Sequence, residues 1–155
     1  MKFPRPRQPR RAFTLIELMV VVAILGLVAA MGVPAMMKAL QKEGMRKALG
    51  DVQDACFAAR KQAIITKQKS ALEIAPQAGR FTAGGGTGGQ LPEGITFAMV
   101  DIFRQDYAES ESCRVFFYPD GTCDETVLVL VGRGESEKIT LDYSSGTPVV
   151  SDVDK

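Results

Sequence analysis

Glu17 lies inside RAFTLIELMVVVAILGLVAAMGVPAMM, residues 11–37, a stretch otherwise apolar over about one membrane thickness. A carboxylate at such a position costs roughly 2.5–3.5 kcal/mol on insertion scales, so it marks a functional site in need of a cationic partner. The other residues able to do chemistry are few. Cys56, Cys113 and Cys123 make an odd count without C-x-x-C spacing, which is neither a zinc site nor a full disulfide framework. Cys113 and Cys123 could pair in an oxidising compartment; free buried thiols are the other expectation, in line with how often cysteine is buried. Asp120, Asp124 and Glu125 gather carboxylates in and just after one turn, as calcium requires. No D-x-[DN]-x-[DN]-G loop is present, however, and turns select Asp for local hydrogen bonding. A solvated turn, with no metal or cofactor, is expected there.

Histidine is absent from the chain. Ser-His-Asp and Cys-His catalysis and His-containing metal sites are thereby excluded together. No nucleophile elbow occurs either, so the chain is not expected to be an enzyme. Gly84-Gly85-Gly86-Thr87-Gly88-Gly89 lacks the Lys of a phosphate loop and its strand-then-helix context, and it reads as a flexible loop.

The near-neutral balance of 19 basic and 18 acidic residues conceals an asymmetry. Lys2, Arg5, Arg7, Arg10 and Arg11 fall within the first 12 residues, which hold no acid; the rest carries 14 basic against 18 acidic residues. A mildly acidic body argues against a nucleic-acid partner. Between residues 70 and 155 the basic residues are Arg80, Arg104, Arg114, Arg133, Lys138 and Lys155, without a cluster; Arg133 sits in a Gly-Arg-Gly tripeptide.

These residues have to be positioned by a helix and a β-rich body. Residues 13–37 suffice to span about 30 Å of hydrocarbon as a helix. The apolar run is longer than that of a cleaved secretory signal, and a plain anchor leaves Glu17 unexplained. The segment Arg10-Arg11-Ala12-Phe13-Thr14-Leu15-Ile16-Glu17-Leu18-Met19-Val20-Val21-Val22 closely resembles the start of type IV prepilins and type II secretion pseudopilins. The resemblance implies cleavage by prepilin peptidase between Ala12 and Phe13, N-methylation of Phe13, and pairing of Glu17 with the terminal amine of a neighbouring subunit. It also implies a helix weakened at Gly32 and Pro34, since proline removes a backbone bond and glycine softens the turn beside it. One departure stands out: Ala12 occupies the position where the family has glycine. Basic residues flank the span on both sides, with Lys38, Lys42, Arg46 and Lys47 following it. The leader holds the narrow excess that sets orientation.

Beyond the span, Met45, Leu49, Val52, Cys56, Ala59 and Ala63 step by four and three residues, one face of a helix continuing to about Thr66. Strands are expected at Ala71–Ile74, Gly94–Val100, Cys113–Tyr118, Thr126–Val131, Lys138–Tyr143 and near Pro148–Val150, with a turn at Pro119-Asp120-Gly121. Leu91-Pro92-Glu93-Gly94-Ile95, Val115-Phe116-Phe117-Tyr118-Pro119-Asp120-Gly121-Thr122, Val127-Leu128-Val129-Leu130 and Ile139-Thr140-Leu141-Asp142 together resemble the head of the GspH/FimT family.

The expected fold is α+β, of the type IV pilin kind: a long N-terminal helix, its first half transmembrane, packed on a C-terminal antiparallel sheet. The expected organisation is a basic leader at 1–12, a membrane and filament-core helix at 13–37, an amphipathic continuation at 38–69 and a β-rich head at 70–155. The resemblance implies a minor pseudopilin of a type II secretion system, anchored once in the bacterial inner membrane with the leader cytoplasmic and the head periplasmic. Its implied partners are prepilin peptidase and other pseudopilins or pilins. A minor type IV pilin acting in pilus assembly or DNA uptake is the alternative.

Overall fold

The computed structural model describes residues 13–132 and 134–153, with the backbone alone for 31–42. The backbone divides into two compact units between Ala39 and Leu40. The first carries the start of helix α1 (Leu15–Thr66), and the second carries the rest of α1 and every strand.

Within the second unit, α1 buries Met45, Ala48, Val52, Ala55, Cys56, Ala59 and Ala63. These positions share one face at 3.6 residues per turn, and Leu49 is half-buried at its margin. Four of the seven are alanines, so the helix backbone can lie close against the sheets. The helix stops after Thr66, where Lys67 takes a left-handed φ of 57° and ends the α geometry. The Thr66 hydroxyl donates back to the Gln62 carbonyl at 2.8 Å.

Nine strands follow among the described residues: β1 (Ser70–Ala75), β2 (Arg80–Ala83), β3 (Gly88–Gln90), β4 (Thr96–Ile102), β5 (Gln105–Asp106), β6 (Cys113–Phe117), β7 (Thr126–Gly132), β8 (Glu135–Asp142) and β9 (Thr147–Asp152). They form two antiparallel sheets, ordered β3-β2-β1-β6 and β5-β4-β7-β8-β9. Period-two alternation decides which side chains face inward. Ser70, Leu72 and Ile74 of β1, Cys113, Val115 and Phe117 of β6, Thr126, Leu128 and Leu130 of β7, and Ile139 and Leu141 of β8 are all buried. The apolar ones join the helix face in one core. This is the α+β layout of a type IV pilin fold.

The head is built of two antiparallel sheets. Pro119-Asp120-Gly121 forms the turn expected between two strands. It follows β6 in the first sheet and precedes β7 in the second, so the chain changes sheets there. The turn closes on itself, with Gly121 donating to the Tyr118 carbonyl and Tyr118 to the Thr122 carbonyl. The glycine run is only partly loop. Gly88 and Gly89 pair with Thr82 and Phe81 as an edge strand. A Cβ at Gly88 would collide with the Phe81 carbonyl, so glycine is required by that close approach. The β4–β5 connection is a two-residue hairpin turn formed by Phe103 and Arg104, at φ 53° and 66°. Left-handed backbone costs non-glycine residues roughly 1–2 kcal/mol each, and bulky side chains are uncommon there.

Candidate functional site

Thr14 sets the geometry around Glu17. It precedes the first helical residue, and its Oγ1 accepts from the Glu17 N–H at 3.3 Å. Its carbonyl accepts from Glu17 and Leu18 at 3.1 and 3.2 Å. Thr14 is therefore the N-cap and Glu17 the third residue of the helix, the spacing of a capping box. The acidic side chain also lies in the first turn, where the helix dipole favours negative charge. Sequence reading assigned Thr14 no role, although T-x-x-E ahead of an apolar run is a legible start signal.

Every described side chain from Phe13 to Ala30 is exposed, on all faces of the helix. A helix apolar all round belongs in lipid or inside an assembly, because its surface has no favourable contact with water. Among the described residues no helix is long and apolar enough to cross a membrane. The expected span at 13–37 runs on into positions whose side chains are not described. Ala12 lies outside the described residues, and at Gly32 and Pro34 only the helical backbone is described.

The three cysteines are free and buried. Cys113 and Cys123 are not placed to pair. Phe117 is the bridge partner of Cys123, and Cys113 lies four residues back along β6. At about 3.3 Å per residue the two Cα atoms are separated by ~13 Å, well past the reach of a disulfide. Burial pushes the thiols up, Cys56 to about 12 and Cys113 and Cys123 to about 11 each. Carboxylates of Asp124 and Asp142 add to the effect at Cys123.

The acidic turn satisfies itself. Asp120 accepts from the Thr122 hydroxyl and N–H at 2.7 and 3.0 Å, and these bonds hold its carboxyl below the usual range. Asp124 is buried and accepts from the Phe116 N–H at 2.9 Å and the Tyr118 hydroxyl at 3.0 Å. The bond to Asp124 raises the Tyr118 phenol. Asp124 thus ties β6 to the strand that follows, a role its sequence position did not disclose. Among the described residues no group of three or more Cys, Asp or Glu is placed to hold a metal.

Arg114 is engaged with Glu73 at 2.6 Å, while Arg104 occupies the β4–β5 tip. Arg133 lies outside the described residues. Arg60, on the helix, is the clearest omission of the sequence reading. Its Nε–H donates to the Ser145 carbonyl at 2.7 Å and lies 3.4 Å from the Gly121 carbonyl. One side chain thereby ties α1 to the turn after β6 and to the β8–β9 turn.

Comparison with known proteins gives one finding. Residues 7–33 match the prokaryotic N-terminal methylation motif. No curated protein and no solved structure matches the chain significantly. The match supports a type IV prepilin-like chain, a prepilin peptidase substrate with assembly partners of the pilin type.

Proposed function

We propose that this chain is a minor pseudopilin, a non-enzymatic structural subunit of the periplasmic pseudopilus of a type II protein secretion system. The observation that carries the reading is the methylation motif lying on a helix start whose apolar side chains, from Phe13 to Ala30, are exposed all round. Peptidase cleavage between Ala12 and Phe13 frees an amine, which is then methylated. The helix waits in the inner membrane with the head on the periplasmic side, and the same apolar surface later packs against neighbouring helices in the filament.

Glu17 supplies the register. Its charge is poorly compensated in lipid and well compensated when the Phe13 amine of a neighbour lies beside it. That partner exists only after cleavage, so processing and assembly are chemically coupled. Disrupting the gene tests the reading. Loss of protein export with surface pili intact supports it. Loss of piliation or DNA uptake with export intact would transfer the subunit to a type IV pilus.

A further inference from the structure

The β4–β5 turn presents an exposed aromatic ring and a guanidinium at one corner of the five-stranded sheet. Phe103 is 63% exposed, although both turn residues hold a left-handed backbone that Asn-Gly would adopt at less cost. Strain of this kind persists where a turn serves contact rather than stability, and Phe and Arg together make an aromatic anchor beside a planar cation.

A groove of complementary chemistry lies at the opposite corner. It has a volume of about 540 Å³, an apolar floor of Met45, Leu49 and Val150, and a wall bearing Glu135 and Glu137. Arg46 and Gln53 stand on its helix side. Asp152 pairs with Glu137 across β8 and β9, so a third carboxylate neighbours the two on the groove wall. Burial, Asp152 and Glu135 together raise the Glu137 carboxyl, a strain that an incoming cation relieves.

The sheet order separates the two features in both directions. The tip belongs to the β5-β4 edge and the groove to the β8-β9 edge. Along the strands, the tip follows Ile102, which pairs with Thr126, whereas Glu135 pairs with Gly132 at the far end of β7. A surface and its complement on opposite corners make a head-to-tail contact, which propagates instead of closing on itself.

We infer that the Phe103–Arg104 tip of one subunit docks into the Met45–Leu49–Val150 groove of a second copy of this chain, with Arg104 paired to Glu135 and Glu137. The inference rests on the assembly reading, because copies must stand side by side; two adjacent copies suffice.

Full-length chains carrying Gln105→Cys beside the tip and Gln53→Cys at the groove, co-expressed in membranes and treated with a short bismaleimide, test it. The native thiols are buried, so the linker reports on the introduced ones. A covalent dimer is expected in the mixture and with neither variant alone. Adding Arg104→Glu to the first chain should lower the yield about tenfold, the scale of a close charge pair. Glu135→Lys with Glu137→Lys in the second chain should restore it. No dimer, an equal dimer from either variant alone, or indifference to Arg104→Glu would each overturn the inference. Mass spectrometry of the same sample reads the N-terminus. A cleaved chain without cross-links defeats only the docking, and a cross-linked chain that keeps its leader defeats only the pilin-type function.

Discussion

The Nε–H of Arg60 donates to the Ser145 carbonyl at 2.7 Å, joining two residues 85 positions apart in the chain. The same side chain lies beside the carbonyl of Gly121, so helix and both turns depend on one guanidinium. Arg60→Met keeps much of the apolar stem and removes the donors. It is expected to lower stability by about 1–3 kcal/mol, the usual scale for hydrogen bonds to charged groups. Urea unfolding of the full chain in detergent, followed by circular dichroism, measures this, and an unchanged midpoint would show that the clamp is idle.

Glu17→Ala removes the carboxylate but leaves the backbone bonds from Glu17 to Thr14 in place. The helix start should therefore survive. Leader removal and membrane insertion are expected to proceed at the normal rate, while recovery of the subunit in sheared filaments falls at least tenfold. Normal incorporation of the Ala variant would end the register role.

Ala12 stands where a prepilin peptidase site ordinarily has glycine, which reaches backbone conformations that alanine avoids. Ala12→Gly is expected to speed leader removal severalfold in a pulse-chase experiment. Mass spectrometry should show the same methylated Phe13 terminus for both chains. Persistence of Met1 in both would refute processing at this bond.

The raised thiols give the fold a pH signature. Each native thiol holds its proton to about pH 11 or 12, whereas an unfolded cysteine releases it near 9. Above pH 9 the unfolded chain binds fewer protons than the folded one, so stability falls as pH rises from 9 toward 12 and is flat in this respect below 9. Maleimide labelling at pH 8 should leave all three cysteines unmodified in the native chain and label them fast in urea. Rapid native labelling would contradict their burial.

How legible the molecule was depended on the range of the interaction. The three-and-four spacing from Met45 to Ala63 and the end at Thr66 were readable, because helix periodicity is local. Strands with strong alternation, such as Cys113–Phe117, were readable for the same reason. β2, β3 and β5 were not, being short and polar or glycine-rich, with too few side chains to show a period. The partition into two sheets depends on pairings such as Leu72 with Val115, 43 positions apart, which no window contains. The choice between a Cys113–Cys123 pair and free thiols stayed open for a similar reason, since ten residues of separation said nothing of the extended run of β6 between them; the thiols are free and buried. At the functional end, Glu17 was conspicuous because a charge in an apolar run is locally anomalous. Arg60 looked ordinary, and only its distant partners gave it a role.

The buried alanines of α1 also bear on force. Between Met45 and Ala63 the head is fastened to the helix along about 27 Å at 1.5 Å per residue. Tension applied along that axis loads the seam in shear, so its contacts must fail together instead of peeling apart one at a time. With Arg60 holding the far end, a subunit drawn out of a bilayer by its helix would keep its head folded under load.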